Sequence, residues 1–442
     1  FRSPPVRVYV DDKDNEEFFK IYLANVRTPK YSYGDLKAQI GSLYRGEKRI
    51  RELIDRYGLE VFRQACEDVK NASEYAMRRT IAAIPDGEYE FESHLEDDGV
   101  IPNKKWKIKI TTAIRGDEII FDYTGSDPQC AGQLNMSFPC VASVSYTALM
   151  FITDPSIPRN EGCYRPVTII APPHSIVNCS YPAACIGGNT DTYPTATDTV
   201  VASLSNVIPE RTAAAHGGTC GCIGMGGVNP ETEEPFAYLP IEGMGWGARP
   251  WHDGDDAICV VNGNTCPNTP VEVLEVRYPI RINAYELHEN SGGPGKYRGG
   301  LGIRRIFEYL SPVTISAHTN RHIEKPWGLM GGKPGANTAL KVKTAGTTEF
   351  KSVVELFNRV SPGKFSGVEL SEGDQILYES PGGGGWENPV ERDPESVLKD
   401  VVEGVVSLES AKKDYGVQID EKNFKLDYEA TEKLRRGLIG KI

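Results

Sequence analysis

The sequence predicts an α+β protein, with a β-rich central part, an N-terminal helical layer and a short helical C-terminal tail. Three observations predict it. Through residues 15–84 apolar side chains recur at the 3.6-residue spacing of helices. The period then changes to two, and β-branched or aromatic runs punctuated by Gly and Pro fill the middle of the chain. Helical spacing returns after Asp393-Pro394, a cap residue followed by a first-turn proline. Three regions follow: residues 1–84 helical, 85–390 a β-rich mixed α/β body, and 391–442 the helical tail.

Residues 1–10 read as an extended, proline-stiffened lead-in. Phe18, Phe19, Tyr22 and Leu23 mark a helix that Thr28-Pro29 stops. A second starts near Tyr33. Its Ile50, Leu53, Ile54 and Tyr57 fall at i, i+3, i+4 and i+7, and Gly58 terminates it. Val61, Phe62, Ala65 and Val69 carry the stripe into a third helix that runs past Tyr75 to Ile84. These stripes are expected to be core. Pro85-Asp86-Gly87 then turns the chain into three strands, YEFESHL, KWKIKITTAI and EIIFDYTG, with a hairpin at Arg115-Gly116-Asp117.

Asp127-Pro128 and Phe138-Pro139 break the next stretch, and residues 142–152, apolar all round, predict a buried helix. Residues 165–180 read as strand and turn. IGGNTDT (186–192) leads into a helix over 196–208, with Thr190 or Thr192 as its cap. Residues 212–227 are small and glycine-rich, which suits backbone packed on backbone or a narrow passage. VEVLEV and IRINAYEL predict two strands of a hairpin feeding a surface loop, SGGPGKYRGG (291–300). Short strands return over 335–378, and Gly382 to Gly385 read as a fully flexible joint before the tail. No internal repeat is found.

The chain has 442 residues, of which 39% are hydrophobic and 25% charged, the balance of a soluble globular protein of two or three domains. No apolar run approaches the roughly 20 residues of a membrane helix. Its start does not resemble a signal peptide, so a cytoplasmic location is the expectation. A net charge of −12 argues against nucleic acid as a partner. None of the ten cysteines forms a C-x-x-C pair, and buried free thiols are the expectation. The chain opens on Phe1, which reads as a fragment, a processed product or an incompletely sequenced start.

The loop at 291–300 reverses the local sign of charge, with Lys296 and Arg298 inside it and Arg304 and Arg305 beyond. Two readings stand: a turn with solvated charges, or an anion or subunit contact, since glycine-rich backbone presents several N–H groups to one oxyanion. It matches neither standard phosphate loop. His216, among small residues, is either a satisfied core histidine or a buried polar group at work. Asn189, Thr190 and Asp191 follow two glycines and suit either a helix cap or ligand binding through backbone N–H groups. His252 with Asp253, Asp255 and Asp256 reads as an exposed acidic turn, and His318 with His322 as a poor metal pair. No nucleophile elbow and no complete catalytic set can be assembled.

Long stretches carry a resemblance. VEVLEVRYPIRINAYELHENSGGPGKYRGGLG (271–302), NEGCYRPVTIIAPPHSIVNCSYPAACIGGNTDT (160–192), WGLMGGKPG (327–335) and SPGGGGWENPVERDPESVLKDV (380–401) resemble the hydantoinase B / 5-oxoprolinase family, and they fall along the chain in that family's usual order. NVRTPKYSYGDLKAQIGSLYRGEKRIRELIDRYG (25–58) resembles its middle segment. Acetone and acetophenone carboxylase large subunits are related. The resemblance implies part of a catalytic subunit of an ATP-dependent complex that opens a hydantoin, 5-oxoproline or lactam. A ketone carboxylase and a non-catalytic scaffold are the alternatives.

It further implies a hydantoinase A-like ATP-binding partner, and a divalent metal, zinc or manganese, held by polypeptide upstream of this chain. No position here matches the family's metal motif, so neither metal nor ATP is expected on this chain alone. His216, Asn189 and Asp191 are expected to line the substrate chamber, with Lys296 and Arg298 at the partner or anion contact.

Overall fold

The Asn15 side chain accepts from the Phe18 N–H and starts the first helix, α1 (Glu16–Ala24). Pro29 then sits in the first turn of α2 (Pro29–Tyr57), where its missing N–H costs nothing. Gly58, at φ 82°, ends α2 and leads directly into α3 (Leu59–Ile81). The computed structural model describes residues 4–263 and 266–439, so the first three positions of the extended lead-in and the last three of the tail lie outside the described residues.

The expectation that the stripes of this layer are core is corrected. Within the three helices only Phe19, Ser73, Met77 and Ile81 are buried. Ile50 is 48% exposed and Val61 58%, and α2 buries no residue. Spacing reports which side chains share a face; it does not report whether that face meets a second layer.

Four strands follow: β1 (Gly87–Leu95), β2 (Trp106–Arg115), β3 (Glu118–Asp122) and β4 (Val167–Ile170), side by side, with β4 joining in parallel. Arg115 pairs with Glu118 across the expected hairpin. The helices α4 (Phe138–Ile152) and α5 (Tyr193–Ser203) cover this sheet, and one core joins Ile108, Ile110, Phe121, Val144, Leu149 and Val200. Pro139 does not break the chain; it lies in the first turn of α4, which begins four residues ahead of the expected start at 142.

All 11 residues of α5 are buried. The expected cap is absent, because the chain is already wound as a π-helical turn over Gly188–Thr192. There the Thr192 hydroxyl donates to the Leu134 carbonyl instead of capping.

The rest of the body is a sandwich of two sheets. One contains β5 (Cys222–Val228), β6 (Pro235–Tyr238), β9 (Val313–His318) and β12 (Lys364–Leu370). The other contains β7 (Ile280–Leu287), β8 (Ile303–Tyr309), β10 (Ala339–Lys343), β11 (Lys351–Ser352) and β13 (Gln375–Glu379). Ile223, Ile315 and Val368 from the first meet Phe307, Val342 and Ile376 from the second.

VEVLEV is not a strand. It forms a short helix, α6 (Val271–Arg277), with Pro270 at its start and Leu274 alone buried. IRINAYEL is β7 and pairs with β8, so the hairpin spans the glycine loop rather than preceding it.

Neither that loop nor the expected flexible joint is loose. Gly382 to Gly385 and most of residues 291–300 are buried. Gly383 N donates to Gly300 O at 2.9 Å, Gly300 N to Trp246 O at 2.8 Å, and Gly385 N to Lys333 O at 2.9 Å. A Cβ on Gly383 would stand 1.9 Å from the Trp246 carbonyl oxygen, and one on Gly299 2.0 Å from that of Gly383. Glycine is there for the approach of backbone to backbone, not for flexibility.

The Asp393 side chain caps α7 (Pro394–Val402) by accepting from Ser396 N. With α8 (Leu408–Asp414), the hairpin β14 (Gln418–Asp420)–β15 (Lys425–Asp427) and α9 (Tyr428–Ile439), it forms a tail whose apolar side packs on Leu301.

Candidate functional site

Charged side chains from five places in the sequence meet in the interior beside the N-terminal end of α5. The π-helical turn brings Asp191, and it can lie where it does only because a Cβ at Gly188 would meet the Asn135 carbonyl at 2.0 Å. Extended residues 212–221 bring His216 and Thr219. The end of β9 brings His318 and runs on into Thr319, Asn320 and Arg321. Lys364 opens β12, and Glu96 follows β1.

Thr219 Oγ1 donates to Asp191 Oδ1 at 2.7 Å and accepts from Asn320 N at 3.1 Å. Thr190 Oγ1 lies 3.0 Å from His318 Nδ1. Lys364 Nζ reaches Asn320 Oδ1 at 3.4 Å, and Ile323 N donates to Glu96 Oε1 at 3.0 Å. What these bonds leave over is informative. Asp191 Oδ2, Glu96 Oε2, Asn320 Nδ2 and Arg321 Nε and Nη2 are buried with no hydrogen-bond partner. Native interiors leave few such atoms unpaired, and a concentration of them marks a place built for something other than stability.

Burial pushes the Asp191 carboxyl up, against the pull of Lys364 and His318. Burial also pushes Glu96 up, again opposed by Lys364. The Arg321 guanidinium is pulled down by burial and held against it by Asp198 and Glu96. The Cys220 thiol, helped by His318, draws the neighbouring Cys222 thiol down in spite of its burial. Carboxyls biased toward the protonated form can donate a hydrogen bond, and buried cations can hold charge that develops on an oxygen.

Next to this interior cluster a cleft of about 1810 Å³ opens between α3, α4 and the segment around Trp246. Asn189 lines it, and its carbonyl accepts from Asn262 Nδ2 at 3.0 Å. Asp191, two residues on, is fully buried behind it. His216 also stands behind the wall. Its Nδ1 lies 2.5 Å from Asp198 Oδ1, its backbone N donates to Asp198 Oδ2 at 3.0 Å, and its Nε2 is buried without a partner. The ring meets Phe151 and Trp246 edge-on at 5.6 and 4.6 Å, and both of those rings face the cleft. The structure thus brings Asn189, Asp191 and His216 to one region.

Lys296 and Arg298 lie elsewhere. Lys296 is half-buried and paired with Glu387 at 2.7 Å. Arg298 is buried, 3.2 Å from Asp256, with the Asp400 carboxylate 3.9 Å away, so the surface contact expected of it is corrected. Its charge answers the acidic residues of the 252–256 turn, which sequence reading left solvated. Arg392 takes the Asp253 carboxylate in the same network.

Sequence reasoning missed Glu96, Arg321, Lys364 and the Thr219 hydroxyl. His318 it weighed only as a metal pair with His322. No local pattern pointed to them: Gly218, whose Cβ would strike Arg321 Nε at 2.7 Å, lies far from Arg321 in the chain.

Among the described residues no three His, Cys, Asp or Glu side chains group so as to hold a metal ion. The divalent metal that the resemblance implies is expected on other polypeptide, and no step is derived through one on this chain. Among the described residues no helix is long and apolar enough to cross a membrane.

A β-sandwich closed by glycine-on-glycine contacts, with a helix-covered sheet and a charged interior, gives a fold with solved members. The caprolactamase of Pseudomonas jessenii, an ATP-dependent enzyme, superposes with a TM-score of 0.86 at 29% identity over 99% of this chain and 75% of its own. The nucleotide-free acetone carboxylase shares the fold, with a TM-score of 0.88 at 21% identity over 99% of this chain and 63% of its own. In sequence, the B-type polypeptide of a putative D-/L-hydantoinase from Pseudomonas sp. (strain NS671) is 33% identical over 98% of this chain and 72% of its own length. The family model described as Hydantoinase B/oxoprolinase matches residues 1–389. The chain belongs to the hydantoinase B/oxoprolinase family.

Proposed function

We propose that this chain is part of the catalytic subunit of an ATP-dependent enzyme that opens a cyclic amide: a hydantoin, 5-oxoproline or a lactam. A hydantoinase A-like partner transfers the γ-phosphoryl group of ATP to the amide oxygen and releases ADP. Water adds to the activated carbon, the C–N bond breaks to leave an acyl phosphate, and a second water cleaves it to the acid and phosphate. Zinc or manganese, and the nucleotide, are held by other polypeptide. Asn189 forms chamber wall, with Asp191 and His216 setting that wall from behind.

One observation carries this reading. The likeness to the hydantoinase polypeptide runs through 98% of the chain at 33% identity, whereas the likeness to the carboxylase, at 21%, is one of fold. The test combines the chain, its ATP-binding partner and ATP with hydantoin, 5-oxoproline or caprolactam, and measures ADP and ring-opened acid together. Ketone carboxylation is the second reading, kept because the acetone carboxylase shares the fold. Labelled bicarbonate fixed into an acid-stable product from acetone or acetophenone, with no cyclic amide opened, would overturn the first.

A further inference from the structure

The cleft carries a surplus of positive charge in a chain whose net charge is −12. Arg79, Arg159, Arg211 and Arg249 line it, against the carboxylates of Asp154 and Glu210 alone. These arginines are poorly neutralised. Arg211 comes no closer than 3.7 Å to Glu210, and Arg249 no closer than 3.8 Å to Asp255. Arg79 and Arg159 make no ion pair among the described residues. A cleft of one sign with apolar walls concentrates ions of the other sign.

Arg249 is held by three aromatic rings. Its guanidinium carbon lies 5.7, 5.9 and 5.6 Å from the ring centres of Phe151, Trp246 and Trp251. An arginine fixed by aromatic faces keeps its N–H edge available, and that edge matches a carboxylate or phosphate two oxygens at a time. Tyr146 and Tyr164, stacked 3.9 Å apart, add a flat apolar surface to the same cleft.

We propose that the cleft binds a small organic anion, a flat apolar body bearing a carboxylate or phosphate, with the oxyanion on Arg249. The volume of about 1810 Å³ exceeds the roughly 300–1,000 Å³ of ordinary ligand pockets, so the ligand occupies only the Arg249 end. This goes beyond the ring-opening activity and is measurable without it. Should both hold, cyclic amides that carry a carboxylate are preferred over neutral lactams.

The test is ligand-observed NMR on the 442-residue chain without partner or nucleotide, titrated separately with benzoate, phenyl phosphate and neutral benzamide. At least one anion is expected to bind about tenfold tighter than benzamide, and the stronger arm tells carboxylate from phosphate. Arg249→Ala should weaken that anion about tenfold, with Arg249→Lys recovering part of the loss. Arg211→Ala, at the exposed rim, gives a smaller loss and serves if Arg249→Ala does not fold. Benzamide binding as tightly as both anions, no binding of either anion, or anion affinity unmoved in the folded variants would each overturn the proposal. Loss of ring-opening activity with anion binding intact would count against the proposed function instead.

Discussion

Asp191 and Glu96 are carboxyls taken out of water and left with one oxygen unpaired each. Burial raises both above their ordinary values. The folded chain therefore keeps protons that the unfolded chain releases. Stability falls as pH rises from the unfolded value, 3.8 for Asp191, toward the higher folded one. The slope is at most about 1.4 kcal/mol per pH unit for each group. Asp191→Asn keeps the acceptor for Thr219 and removes the charge. Urea denaturation followed from about pH 4 to 7 should show the variant about 1 kcal/mol more stable near neutrality and less sensitive to pH. A variant equally pH-dependent and no more stable would mean the carboxyl is not held as described.

Arg298 and Lys296 separate in the same kind of measurement. Arg298→Ala takes the buried cation from Asp256, while Asp400 keeps Arg392 at 2.8 Å, and should cost about 1.5–3 kcal/mol. Lys296→Ala loses a half-exposed pair and should cost under about 1 kcal/mol. Equal, small losses would place Arg298 at the surface after all.

Sequence alone singled out Asn189, Asp191 and His216 because glycines and small residues flank them. It missed Glu96 and Arg321 because charge in a sequence reads as solvated. Their burial is created by contacts such as Ile323 to Glu96, made across 227 residues of chain.

Segments were legible where periodicity is a local property. The strands of the first sheet and the helices α1, α3 and α4 follow from spacing, turns and prolines. VEVLEV failed because its few residues satisfy alternation and a single helical turn equally, and Leu274 decides by packing into the sandwich core. The glycine runs failed for a different reason. Composition was read as freedom, whereas their amides and carbonyls are paired with one another.

That difference is testable. Gly383→Ala drives a methyl to 1.9 Å from the Trp246 carbonyl, and soluble, folded protein is not expected by circular dichroism. Gly346→Ala, in a left-handed turn at φ 79° with nothing within 4 Å, should cost only about 1 kcal/mol. If both alanine variants melt alike, the close backbone approach is wrong.

The molecule as a whole was readable in class and in family, since alternating periods set the first and long ordered motifs the second. Its layering was not. The helices α2 and α3 looked like one side of a core, yet Leu43, Ile50, Leu53 and Val61 are exposed. Nothing in a stripe says where its counterpart is encoded.

The glycine contacts have one more implication, for how the polypeptide comes into being. Trp246 bonds to Gly300, Gly300 to Gly383, and Ala215 to Gly384, so the bundle needs stretches from both the middle and the far end of the chain. Proteins are made N-terminus first. While the ribosome is still at work, the carbonyls of Ala215 and Gly300 wait unmatched for a stretch not yet translated. A premature stop before Gly382 would thus spare every strand of the sandwich and still leave its seam open.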